Sequence, residues 1–308
     1  MSVRLVFLAW ALGFGAPEPT ADSRGPTLTG LIASPAVREA SGIAPSRRAD
    51  HLLWTHNDSG GQPVIYAISD EGEPRGSLRL PGVRLVDWED LASFEIDGQA
   101  YLLIADTGDG SSKGRSNCAL YLVAEPDPAT LMPGRELTAD VVARLPMRFL
   151  DGPADCEAIA VDPAARTIYL LTKRTTPAKL YTLPLDLKPD RNFPAARPVA
   201  RLTGIPQPTA TQRLVPLPTS RYRAEPTALD FAPDGSAAVV LTYGDAWLFR
   251  RAPGQSWAAA LAGRPEALPP HKLWQAEAAC FTRDGRAIIV TSEGAGAPLL
   301  RYSFEPAP

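Results

Sequence analysis

Soft metal ligands are scarce in this sequence, with three cysteines and three histidines in 308 residues. No C-x-x-C pair and no His-rich spacing occurs, which argues against a zinc site. The odd cysteine count, Cys118, Cys156 and Cys280, excludes a fully paired disulfide framework. Small buried fillers are the expected role of these thiols. Were one bridge to form, Cys118 with Cys156 would be the better-placed pair. Lysine is scarce too, at five of 31 basic residues, and the net charge is −3 with a pI near 5.7. That balance leaves no clustered basic surface for nucleic acid. No apolar run is long enough to cross a bilayer as a helix. Helical periodicity is nearly absent. Ser292 has neither a nucleophile-elbow context nor a histidine partner, so a serine-hydrolase triad is not expected.

What the chain has in plenty is turn punctuation, with 32 prolines and 24 glycines falling between short apolar runs. Residues 1–21 read as a secretory signal: Arg4 supplies the positive start, and Leu5 to Leu12 with small residues through Ala16 supply the apolar region. Pro17 follows Ala16, so the cleavage point is not marked by a clean A-x-A. No cysteine lies there to carry a lipid. The expectation is an exported protein, periplasmic or extracellular, with one domain over 22–308.

A hexad then recurs. Asp87-Trp88-Glu89-Asp90-Leu91-Ala92 is echoed by Asp155-Cys156-Glu157-Ala158-Ile159-Ala160. The same register occurs from Glu39, Glu225 and Gln275. Its first position is Glu39, Asp87, Asp155, Glu225 or Gln275, and its third is Ser41, Glu89, Glu157, Thr227 or Glu277. The starts lie 48, 68, 70 and 50 residues apart. After each start come short β-type runs broken by turn residues, such as 52–55, 64–68 and 77–80 in the first repeat. This is the pattern of an antiparallel meander. The fifth repeat has three runs and no fourth, while 27–37 is a strand without a sheet. Pairing the two closes a ring and removes both open edges.

These repeats predict an all-β β-propeller of four-stranded antiparallel blades. Five blades are favoured. A sixth would have to come from 188–224, which is Pro-rich, lacks a repeat start and reads as an insertion. The aromatic residues Trp54, Tyr66, Tyr121, Tyr169, Tyr181 and Trp247 are expected between blades.

In such a ring the hexads and the loops after each second strand open on one face. Several carboxylates at one mouth repel unless a cation or a basic group offsets them. Hard oxygen donors from several segments suit Ca²⁺ or Mg²⁺. Glu89, Glu157 and Glu277 are the candidate catalytic acids, and Asp87, Asp155 and Glu39 the candidate metal ligands. His56, Asp58, Asp106, Asp109, Lys173, Arg174 and Glu293 are the candidate substrate contacts, with Lys173 and Arg174 placed to meet an anion. The competing reading is structural: carboxylates at strand starts accept backbone N–H groups of the next blade and lock the ring. The loop Asp106-Thr107-Gly108-Asp109-Gly110 looks like half of a calcium loop but lacks the distal glutamate.

The run Ser41-Gly42-Ile43-Ala44, then Leu53-Trp54-Thr55-His56-Asn57-Asp58-Ser59-Gly60 and Ile65-Tyr66-Ala67-Ile68, followed by the hexads at 87 and 155, resembles a family of exported bacterial propellers. That family is similar to the esterase-like phytase propellers and, more distantly, to calcium-dependent lactonase and gluconolactonase propellers. The resemblance spans nearly the whole mature chain. It implies Asp87, Glu89, Asp155 and Glu157 as metal or substrate acids. Ser41 and Thr227 depart from the Glu of the other repeats, and the extended acidic clusters of propeller phytases are absent. The expected function is metal-dependent hydrolysis of an ester or phosphoester. A non-catalytic propeller that binds a small molecule, an anionic ligand or a protein on the same face fits the sequence as well.

Overall fold

The computed structural model describes residues 25–59, 61–109, 114–115, 117–185, 195–215 and 220–304. The expected signal at 1–21 and the tip of the 106–110 loop lie outside them. Five sheets form a ring. Their innermost strands are Ala40–Pro45, Trp88–Ile96, Cys156–Asp162, Pro226–Phe231 and Ala276–Phe281. Each packs on the next, and the fifth packs on the first.

Blade 5 is closed by the N-terminal strand. Thr27–Leu31 pairs antiparallel with Pro298–Ser303, outside Ala287–Ser292 and Ala276–Phe281. The ring has five blades, and 210–213 in the long insertion form one helical turn. Two blades carry an extra strand that the repeats do not announce. Glu136–Thr138 pairs parallel with Pro74–Arg79 on the rim of blade 1, and Arg148–Phe149 pairs parallel with Ala195–Arg201 on blade 3. The fourth strand of blade 4 is only the two-residue Glu266–Ala267. A short helix, Trp257–Leu261, precedes it and fills the gap against Phe231.

The core sits between blades. Alternate residues of each strand point into one of two neighbouring interfaces, and the buried apolar residues fall into five clusters, one per interface. Trp54 and Tyr121 lie between blades 1 and 2, Tyr181 between 2 and 3, and Tyr169 between 3 and 4. Cys118 and Cys156 pack between blades 2 and 3 and Cys280 between 5 and 1, all as buried free thiols.

Every inner strand contains one β-bulge, and it falls at the same place. The pairing register slips between Ala40 and Gly42, Trp88 and Asp90, Cys156 and Ala158, Pro226 and Ala228, and Ala276 and Ala278. The extra residue is therefore the third of each hexad: Ser41, Glu89, Glu157, Thr227 and Glu277. A bulge re-aims a side chain and ends regular pairing.

Deeper in the ring two carboxylates act as ties. Asp90 accepts Leu91 N at 2.8 Å and, across the blade boundary, Ile159 N at 2.7 Å. Asp230 accepts Phe231 N and Phe281 N, both at 2.8 Å. Burial holds the Asp90 carboxyl well above the usual range, against the pull of those N–H groups. Asp90 and Asp230 thus carry a locking role expected of Asp87 and Asp155, and Asp155 shares it by accepting Asp109 N of blade 2 at 2.7 Å. Asp90→Ala leaves two buried N–H groups without acceptors and should cost about 3 kcal/mol in urea denaturation. The exposed Asp140→Ala should leave the midpoint unchanged, and equal midpoints for the two variants would refute the tie.

Candidate functional site

The five bulge residues split by chemistry. Ser41 Oγ donates to Glu89 O at 2.6 Å, and Thr227 Oγ1 donates to Ala276 O at 2.9 Å. At these two positions a hydroxyl ties one bulge to the next blade. At the other three a glutamate stands, and all three are buried.

Among the described residues, two groups of carboxylates bring one oxygen each to within 4.8 Å of one another: Asp58, Asp87 and Glu89, and Glu89, Asp155 and Glu157. Glu89 belongs to both. The second group already has its counterions. Lys173 Nζ donates to Glu157 Oε2 at 2.6 Å, and Arg174 Nε donates to Asp155 Oδ2 at 2.5 Å. The first group differs at Asp58. Asp58 Oδ1 is buried and accepts no hydrogen bond. Burial and then Asp87, Glu157 and Glu293 push Asp58 up to about 8. Burial, followed by Glu157 and Asp58, holds Glu89 well above the usual range. Glu89 therefore keeps the proton it shares with Glu157, and Glu157 stays the charged partner of Lys173.

The loop over these acids is built to touch them. A Cβ on Gly108 would lie 1.8 Å from Glu89 Oε1 and 2.6 Å from Asp87 Oδ2, so any larger residue would have to displace these carboxylates. Arg115 fastens the loop: its Nη2 pairs with Asp106 Oδ1, and its Nη1 donates to Gly108 O at 3.1 Å. Asp106 also accepts Asp87 N at 3.1 Å. Asp109 presents its own N–H to Asp155 Oδ1 at 2.7 Å. Asp106 and Asp109 are both buried and frame the acids from behind.

Lys173 also lies 4.8 Å from the Tyr243 ring centroid. Burial pulls its ammonium down, but Glu157 and then Glu277 outweigh that and hold it above the ordinary lysine range. Glu277 stands across Lys173, outside both acid groups. Burial raises it to about 8, with Lys173 opposing. Gln275 Nε2 bridges Glu277 Oε1 at 3.1 Å and Glu293 Oε2 at 2.6 Å. Glu89, Glu157 and Glu277 thus face one lysine from two sides and do not share one coordination sphere.

Two expected residues lie elsewhere. Glu39 is exposed and outside both groups. Its backbone, rather than its carboxylate, is engaged, with its N–H bonded to Asn57 Oδ1 at 3.0 Å. His56 is fully buried between blades 1 and 2, edge-on to Trp88 at 5.4 Å. Burial lowers it to about 4, so it is a neutral core ring and not a substrate contact on the open face. Both belong to blade 1, whose bulge carries Ser41 instead of Glu.

Known proteins add little at this point. Two solved structures superpose on most of the chain. A gluconolactonase from Xanthomonas campestris is 12% identical over 95% of this chain and 99% of its own, with a TM-score of 0.46. A nidogen/laminin complex is 16% identical over 83% of this chain and 73% of its own, with a TM-score of 0.42. No protein-family model and no curated protein matches the sequence. At these identities and scores the superpositions carry no functional argument.

Arg115 was not singled out from the sequence. It acts, with Gly108, through the loop that resembled half a calcium loop, while Tyr243, which follows the second strand of blade 4, packs on Lys173. An arginine nine residues after Asp106 is the only signal Arg115 offered.

Lys173 is the base that makes this acid cluster tolerable. Without it Glu157 and Glu277 rise further, and a carboxyl raised on folding stabilises below its unfolded value and costs stability as pH rises towards the folded one. Lys173→Met should therefore lose about 3 kcal/mol near pH 8.5 and far less near pH 5.5, measured by urea denaturation at both. An equal loss at the two pH values would refute the electrostatic role.

Proposed function

We propose that this chain is an exported propeller hydrolase, acting on an ester or phosphoester at the acidic mouth with the help of a divalent cation. One observation carries the cation: Asp58 Oδ1 is buried without a donor beside Asp87 and Glu89, while the adjoining acids are neutralised by Lys173 and Arg174. The donor set fits. Three carboxylates from two blades are hard oxygen ligands, suited to Ca²⁺, and leave coordination positions for water and substrate. The metal thus falls to Asp58, Asp87 and Glu89, with Asp155 turned to Arg174. A bound divalent cation supplies Lewis acidity towards a carbonyl or phosphoryl oxygen.

The chain's own residues supply the rest. Arg174 is half exposed, with its side chain 47% accessible, and offers guanidinium donors to an anionic group arriving from solvent. Lys173 holds Glu157 charged. Glu277, raised to about 8, can hold or release a proton near neutral pH, the property a general acid–base needs. Gly108 lets backbone close over Glu89 and exclude water on that side. Export rests on the 1–21 segment alone.

Cation binding must displace protons from Asp58 and Glu89, so affinity should rise with pH. In calorimetry near pH 7, Ca²⁺ should bind with release of about two protons, read from buffers of different ionisation enthalpy. Asp58→Asn should abolish binding, and a saturating cation should raise the melting temperature of the wild type only. Aryl esters, lactones and phosphoesters then test the chemistry. Turnover should fall at least ~100-fold in Glu89→Gln and Glu277→Gln. No turnover with intact Ca²⁺ binding would make this a binding propeller; no Ca²⁺ effect at all would remove the cation.

A further inference from the structure

The opposite mouth of the ring holds a cavity of about 440 Å³, within the range of small-ligand sites. All five blades contribute to it. Arg47 comes from blade 1, Ser93 from blade 2, Asp162 from blade 3, Asp230 and Arg251 from blade 4, and Arg283 from blade 5. None of these residues takes part in the acidic site.

By formal count the lining is not basic, with three arginines against Glu95, Asp162, Asp230 and Asp234. What matters is which groups are already spent. Asp230 is spent on two backbone N–H groups, as described above. Asp162 accepts Ala165 N at 3.0 Å through one oxygen and Trp257 Nε1 at 3.1 Å through the other. Asp234 Oδ1 accepts Ser236 N at 2.9 Å and Ser236 Oγ at 2.7 Å. Glu95 is exposed.

Of the guanidinium groups, Arg283 is paired with Asp50 Oδ1 at 2.8 Å and Arg47 opposes the effect of burial on Asp230, while Arg47 and Arg251 both keep donors not used in hydrogen bonds. Arg47 is clamped by Nε and Nη2 to Ser93 O at 3.0 and 2.8 Å, and these bonds leave Nη1 unused. Arg251 Cζ lies over the Trp257 ring, 4.2 Å from its centroid, with Nε donating to Gly235 O at 2.7 Å. Trp257 in turn is stacked on Phe231 at 3.8 Å and 1°, so Arg251 is backed by an aromatic stack. The nearest carboxylate oxygen to Arg251 Nη1 is Asp162 Oδ2 at 3.8 Å, beyond hydrogen-bond reach. Two guanidinium groups held by their inner edges, with outer edges turned to one cavity, form a receptor for a planar or tetrahedral oxyanion. Phe94, Val161 and Pro233 give the same cavity an apolar wall.

We propose that this mouth is a second ligand site, for a small organic oxyanion whose charged group is held by Arg47 and Arg251 and whose body lies on Phe94, Val161 and Pro233. It is independent of the hydrolase reading and stands or falls separately from it. Carboxylates and phosphate esters share the chemistry.

The probes are benzoate, phenyl phosphate and neutral benzamide, titrated calorimetrically into the full-length protein without added metal. At least one anion should bind with Kd below about 1 mM and benzamide should not. The tighter anion identifies the oxyanion. Arg47→Gln and Arg251→Gln should each weaken binding about tenfold or more. Should either fail to fold, Arg283→Gln on the exposed rim should weaken it about threefold, as expected of a more distant charge. Glu89→Gln, at the other mouth, should leave the affinity unchanged. No binding of either anion at about 10 mM, equal binding of benzamide, affinity indifferent to the arginines, or affinity lost in Glu89→Gln would each overturn the proposal.

Discussion

One extra residue in each inner strand organises this molecule. A regular strand alternates its side chains between two faces, and in a propeller both faces are needed for packing against neighbouring blades. A polar side chain directed at the axis has no place in that alternation. The bulge creates one without disturbing the rest, because it adds a residue and then lets the register resume. Repeated in five blades at the same level, it lifts Ser41, Glu89, Glu157, Thr227 and Glu277 out of the two packing faces. Below that level the strands return to apolar alternation, and the five inter-blade clusters are undisturbed.

The acids so gathered are made tolerable in three different ways. Asp90 and Asp230 are satisfied by backbone N–H groups and belong to the frame. Glu157 and Asp155 are satisfied by Lys173 and Arg174. Asp58 Oδ1 has neither, and Asp58 and Glu89 hold protons instead. Protonation, ion pairing and cation binding are alternative answers to one electrostatic problem. The geometry distributes them over neighbouring blades, so that a polar mouth of mixed character results.

Much of this could be read from the residues. The recurrence of the hexad carried the blade count and the face on which the acids gather, because a repeat that lines an axis must repeat its axial chemistry. The closure of blade 5 by 27–31 followed from a strand with no partner at one end and a sheet missing its outer strand at the other. What was hidden depended on details below the resolution of pattern. Asp87 and Asp90 look alike as acids near a strand start. Only the register after the bulge decides that Asp90 reaches Ile159 and Asp87 does not. His56 stands in a polar run, His56-Asn57-Asp58, and reads as a loop residue. In fact the strand Leu52–Asn57 continues through it and turns the ring into the core. The parallel strands at 136–138 and 148–149 are too short to carry any period, and their partners lie tens of residues away.

The way blade 5 is completed has a consequence in time. Its outermost strand is the first of the chain and its other three are the last. The contact between Thr27 and Arg301 spans 274 positions, close to the largest separation the sequence permits. Blades 2, 3 and 4 can each assemble from one continuous segment, but blade 5 must wait for the final residues. Loop closure over such a span comes late in folding and slows the last step.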